Sequence, residues 1–308
     1  MEFFRIQRDL PFMRYARTTV FISAVVFMAA LAALVTQGLN LNVDFTGGTV
    51  IDVSFAKAIP PSTVRGLLAS HHYRHVRVQN YGTARKVLIR LPTARKSGKV
   101  VADRVVRLLD QKFPGTTLRS VEYVGPEVGR ELADQGALAL LFVAFGITAY
   151  LTLRFEWRFA VGAIVATIHD VIIVLGVFAA FHISFSLTVL AAVLAVLGYS
   201  VNDTVVVFDR IRDNFRRMRT GTPSDIIDSA ITRTLSRTIM THILTQLMVL
   251  SMLFLGGPVL FGFALALTVG IVVGTYGSVL VASPIVLWLG LKRDDLLPRA
   301  KAPGADRP

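Results

Sequence analysis

The sequence has no cysteine, which excludes disulfides and thiolate metal sites and says nothing further about compartment. It has no G-x-x-x-x-G-K-[ST] phosphate loop, so direct ATP hydrolysis is unsupported, and no Ser-His-Asp or metal-protease helix signature. Charge is scarce too: 17% of residues are charged against 53% hydrophobic, in uncharged runs too long for a soluble core. An integral membrane protein follows, with the membrane gradient as its available energy, about 2.3 kcal/mol per charge per 100 mV. The charge that remains is basic, +13 net. Eighteen of the 33 Lys and Arg lie in segments flanking expected spans. Topology accounts for that share better than nucleic acid does, so no nucleic-acid partner is expected.

Arg5, Arg8, Arg14 and Arg17 precede an uncharged stretch from Thr18 to Val43. The expectation is a cytoplasmic N-terminus over 1–17 and a first span over 18–38. Ala30-Leu31-Ala32 offers small residues to a signal peptidase, but the stretch exceeds the roughly 7 to 15 residues of a secretory h-region, which favours an uncleaved anchor. Further spans are expected over 134–153, 159–181, 185–208, 238–255 and 259–289, the last tilted or kinked at Pro284. Residues 209–237 then form a basic cytoplasmic loop with seven arginines. That loop reads as a surface helix Asp209 to Met218, a turn at Gly221-Thr222-Pro223, and a second helix capped by Ser224. Residues 290–308 form a cytoplasmic tail, and six helices with both ends inside satisfy the charge rule at every short loop.

Between the first two spans, 39–133 reads as a small extracytoplasmic domain. Its pattern gives strand Thr49 to Phe55, helix Pro61 to Ser70, strands His75 to Tyr81 and Lys86 to Leu91, helix Lys99 to Phe113, and strand Leu118 to Tyr123. This α+β order is ferredoxin-like, an arrangement that hosts many functions and implies none alone. His71, His72 and His75 have no acid or cysteine beside them, so a solvated loop is preferred to a metal site. At the entry to the domain, Asp44-Phe45-Thr46-Gly47-Gly48-Thr49 carries paired glycines. Unusual backbone angles or close approach there suit a hinge or packing corner involving Asp44, Gly47 and Gly48.

An ionisable group inside a spanning helix is costly and therefore a functional candidate. Asp170, preceded by His169, falls near the middle of the third span. Asp203, beside Asn202, lies in Gly198-Tyr199-Ser200-Val201-Asn202-Asp203-Thr204-Val205-Val206-Val207-Phe208-Asp209-Arg210-Ile211-Arg212-Asp213-Asn214, within the fourth. Arg237, Thr241 and Thr245 share one face at the start of the fifth, with His242 and Gln246 beside it. A carboxylate facing an arginine there is either a proton relay or a static salt bridge. Gly270, Gly274, Ser278 and Ala282 recur every fourth position, which suits close helix packing and carries no chemistry on this reading.

Together with His169-Asp170-Val171 and Arg233-Thr234-Leu235-Ser236-Arg237-Thr238, the two long motifs resemble SecF, a family of bacterial protein-export subunits within the SecD/SecF group and the resistance-nodulation-division superfamily. The likeness runs from about residue 10 to 290. It implies half of a pseudo-symmetric bundle completed by SecD, in the cytoplasmic (inner) membrane. Such a complex works with the SecYEG channel and SecA on unfolded secretory polypeptides, with YajC and YidC as further partners and surrounding membrane lipid. It uses the proton-motive force and is not an enzyme; no cofactor is implied. Asp203, Arg237 and Thr241 match the family's proton-path positions, with Asp170 and Asn202 beside them and a further acid supplied by SecD. The alternatives are a proton-coupled exporter of a small molecule or lipid, and an assembly subunit that only steadies a translocon.

Overall fold

The computed structural model describes residues 8–73, 76–81, 83–92, 98–292 and 296. The expectations that His75 opens a strand, that Arg5 belongs to a basic arm, and that Arg293, Arg299, Lys301 and Arg307 form a tail lie outside the described residues.

The first long helix, α1 (Ala16–Gln37), follows a short 3-10 turn, Met13–Tyr15. A two-residue strand, β1 (Asn40–Leu41), and one helical turn, α2 (Val43–Thr46), lead into the small domain. Its elements are β2 (Gly48–Ser54), α3 (Pro61–Ser70), β3 (Arg77–Tyr81), β4 (Thr83–Leu91), α4 (Gly98–Lys112) and β5 (Thr117–Val124). The strand-helix-strand-strand-helix-strand order is thus present, as one antiparallel sheet ordered β3-β4-β2-β5. Period-two alternation explains its core. Ile51 and Val53 sit opposite Ile89 and Val87, and all four are fully buried with Val64 and Leu68 of α3 and Val105 and Leu109 of α4.

Five long helices follow: α5 (Pro126–Arg154), α6 (Trp157–Ala180), α7 (Leu187–Arg217), α8 (Pro223–Leu255) and α9 (Gly257–Gly277). A strand pair residue set, β6 (Ser184–Phe185), sits between α6 and α7. A π-helical stretch, Ser278–Ala282, joins α9 to α10 (Ser283–Trp288). Among the described residues six helices are long and apolar enough to cross a membrane, the last running through the π stretch. The chain is a multi-pass membrane protein. The most apolar windows of α6 and α7 are 56% buried, against 11% in the first and second spans, so α6 and α7 form the interior. Small residues permit the approach: a Cβ on Gly270 would come within 2.2 Å of Val196, and one on Gly176 within 2.6 Å of the Ala30 backbone.

Two local expectations are corrected. The surface helix Asp209 to Met218 is no separate element, because α7 continues unbroken to Arg217. Ile211 and Phe215 are buried at i and i+4, and that apolar stripe carries the helix past its membrane section. Likewise α8 begins at Pro223 and is capped by Thr222, not Ser224. The Thr222 hydroxyl accepts from the Asp225 amide at 3.3 Å while the Asp225 carboxylate accepts from the Thr222 amide at 2.9 Å, a reciprocal capping box. In the last span the helix widens to π geometry just before Pro284. Proline lacks an N–H and crowds the preceding turn; the freed Ser278 carbonyl accepts from the Ser283 hydroxyl at 3.2 Å.

Candidate functional site

Two buried carboxylates lie on neighbouring interior helices, Asp170 on α6 and Asp203 on α7. In α7, Ser200 and Asp203 are three residues apart and share a face. Ser200 donates to Asp170 at 2.5 Å, and the other Asp170 oxygen lies 2.9 Å from Nδ1 of His169. His169 Nε2 in turn meets the Ser23 hydroxyl of α1 at 2.5 Å, and Phe27 stacks on the ring. Glycine makes room for this centre: a Cβ on Gly277 would sit 2.6 Å from the Asp170 carboxylate, whereas Gly274 leaves ordinary contact distance.

Asp203 is held by α8 and the last span. One oxygen accepts from the Thr238 hydroxyl at 3.1 Å and lies 3.8 Å from His242 Nε2; the other accepts from the Ser278 hydroxyl. His242 bonds the Thr275 hydroxyl through Nδ1 and packs on Tyr199, with ring centres 4.9 Å apart. The chain therefore gathers hydroxyls, two imidazoles and two carboxylates from α1, α6, α7, α8 and the last span. Such a set can accept, hold and pass protons between neighbours a hydrogen bond apart.

The structure does not bring Arg237 to Asp203. Arg237 and Thr241 are exposed, and Asn202 is exposed on α7. Among the described residues the Arg237 guanidinium has no ion-pair or hydrogen-bond partner. The reason is helical phase: one residue turns a helix by about 100°, so Thr238 and His242 face inward while Arg237 and Thr241 face out. The Thr241 hydroxyl is used within α8, on the Arg237 carbonyl at 3.0 Å. Thr245 is partly drawn in, accepting from the Tyr199 hydroxyl at 3.5 Å.

The Asp44 to Thr49 segment forms a corner under the small domain. Its chain is clamped to the α6–α7 turn by the parallel pairing of β1 with β6 and by the Asn42 amide on the Phe185 carbonyl at 2.8 Å. Asp44 reaches further and accepts from the Leu187 amide at 2.9 Å, which places a carboxylate at the N-terminus of α7, where the helix dipole favours it. Gly47 and Gly48 have φ of 70° and 140°. A Cβ on Gly48 would lie 2.5 Å from the Leu91 carbonyl, and Gly129 of α5 packs so tightly on Gly47 that its own Cβ would come within 2.7 Å of the Gly47 nitrogen. Above the corner, burial and the neighbouring Arg77 push the Arg90 guanidinium below its ordinary pKa.

Ser278, Thr238 and Ser200 are contacts of the two carboxylates that the sequence reading missed. Ser278 lay in the small-residue stripe to which no chemistry was given, and that is corrected by its bond to Asp203. Thr238 carried one available signal, a hydroxyl next to the noted Arg237 at the start of an uncharged run.

A multi-pass membrane protein with its polar groups gathered inside α6, α7 and the last span invites comparison with known proteins. Residues 105–292 match the family described as protein export membrane protein SecD/SecF, C-terminal, and residues 32–59 match the SecD/SecF GG motif. The chain belongs to the SecD/SecF family. It is 43% identical to the protein translocase subunit SecF of Vibrio alginolyticus, over 96% of this chain and 95% of that protein. It is also 43% identical to the SecF of Pseudomonas aeruginosa, over 97% and 98%. The crystal structure of SecDF from Thermus thermophilus, a translocon-associated membrane protein, superposes with a TM-score of 0.85 at 34% identity. That match covers 93% of this chain and 39% of the SecDF chain.

Proposed function

We propose that this chain is a SecF subunit that couples the proton-motive force to protein export across the bacterial cytoplasmic membrane. The observation that carries the reading is the buried Asp203 centre in α7, held only by groups able to exchange protons or hydrogen bonds, in a chain similar to SecF proteins over nearly all its length. Asp170, linked through Ser200 one turn away, extends the polar path toward His169 and α1. SecD is the expected partner, since the matched SecDF chain holds a second portion that this chain does not span. The outward polar seam of Asn202, Arg237 and Thr241 supports a SecD contact there, because polar groups in a membrane span favour a partner over lipid. The complex would serve SecYEG and SecA, with YajC and YidC as accessory partners, and act on unfolded secretory polypeptides. Both termini are then cytoplasmic, the small domain is outside, and the work is transport without enzymatic chemistry. The Asp44, Gly47 and Gly48 corner would transmit domain movement to the N-terminus of α7.

The test is export of a slow secretory precursor in cells carrying this chain with its SecD partner, comparing wild type with Asp203→Asn at equal membrane abundance. Export should fall about tenfold or more, as loss of a proton-transfer group implies. Unchanged export with an assembled complex would make Asp203 structural.

A further inference from the structure

At the end of the bundle opposite the small domain, α7, α8 and the end of α5 border an open cavity of about 520 Å³ with five arginines and two aspartates in its wall. Their charges do not cancel. Asp209 is already bound by Arg154 at 3.0 Å and by Arg212 at 2.9 Å, and both guanidiniums also lie against the Phe155 ring. Asp213 is taken by Arg217 from outside the cavity, at 3.3 Å. The guanidiniums of Arg210, Arg233 and Arg237 are left with no ion pair or hydrogen bond among the described residues. Arg212 adds a buried Nε donor that also has no partner there. Three like charges converging on one cavity repel unless an anion joins them, and a guanidinium fork fits tetrahedral oxyanions.

Position narrows the ligand. Arg237 immediately precedes the uncharged run that begins at Thr238, and Arg210 follows the apolar Val205 to Phe208. Both arginines thus stand where the hydrocarbon gives way to headgroups, and basic pockets between helices at that depth take lipid phosphates. We propose that this cavity binds a phosphate group, for which an anionic phospholipid headgroup is the source at hand. The site stands whether or not the export reading does, because it rests on the loop end of α7 and α8 and not on Asp203.

The test uses the purified full chain in detergent, with native mass spectrometry and thermal unfolding in the presence of phosphatidylglycerol, phosphatidylcholine or inorganic phosphate. One phosphatidylglycerol should be retained per chain in preference to phosphatidylcholine. Arg210→Gln with Arg233→Gln should weaken retention about tenfold or more, since each lost charge-assisted bond is worth over a kcal/mol. Arg210→Lys with Arg233→Lys should keep part of it. Stabilisation by inorganic phosphate without any gain from phosphatidylglycerol would assign the same phosphate chemistry to a free anion. Equal retention of both lipids, equal retention by the Gln variant, or no binding of either anion overturns the proposal; the last includes a cavity meant for a neighbouring protein's carboxylate. If the Gln variant does not fold, competition settles the matter on the wild type: phosphate must displace phosphatidylglycerol where equimolar chloride does not.

Discussion

The Asp170 and Asp203 centres are built from similar parts and differ in what surrounds them. Asp170 is wholly buried, pinned by a histidine ring and a serine, and walled by Gly277 and Gly274. Asp203 is 6% exposed and is held by two hydroxyls with a histidine 3.8 Å away. The hydroxyls belong to helical Ser and Thr residues, which can fall back on carbonyls of their own helix; Ser278 already reaches the Thr275 carbonyl at 3.2 Å. A histidine ring has no such retreat. A carboxylate fixed by a ring is tied to one geometry, and one cradled by hydroxyls sits among partners that can turn back to their own helices.

The largest effect should come from filling the Asp170 wall. Gly277→Val puts methyl groups where a Cβ alone would stand 2.6 Å from the carboxylate, and overpacking of this kind costs about 3 kcal/mol. A steep loss of thermal stability, and of membrane abundance, is the expected result; an unchanged melting temperature would mean that Asp170 can move aside. Next comes the direct contrast. Asp170→Ala strands the His169 ring nitrogen in a dry site and should cost about 2 kcal/mol, whereas Asp203→Ala should cost roughly half as much. Thermal unfolding of the two variants side by side checks the order, and equal losses would erase the distinction drawn between the centres.

Much of this architecture could be read before any coordinates. Uncharged runs marked the helices because a charge in hydrocarbon is costly, and the strand and helix order of the small domain followed from apolar periods near 2 and 3.6. What failed was phase and continuity. Spacing placed Arg237, Thr241 and Thr245 on one face but could not say which way that face turned; the packing of α8 against α7 and the last span decided for Thr238 and His242. Ser278 was hidden among small residues selected by the same close approach that brings its hydroxyl to Asp203. Asp44 was marked by its paired glycines, yet its partner, the Leu187 amide, is 143 positions away, beyond any local pattern. The continuation of α7 to Arg217 was masked by charge, since basic residues suited a loop and a surface helix equally.

The smallest stability effect should be the most informative. A buried pair between Asp203 and Arg237, broken by Arg237→Gln, would cost the lone chain about 3 to 5 kcal/mol because it leaves an uncompensated charge. With the arginine exposed and unpaired among the described residues, the change should stay within about 0.5 kcal/mol, as for an ordinary surface substitution. Thermal unfolding of the isolated chain separates these values easily. Repeating it on the complex with SecD then asks what the outward seam is for. A loss that appears only in the complex places the arginine's partner on the other subunit, and so divides the polar path: the inner wall of Asp203 belongs to this chain, and the outer wall is completed by its neighbour.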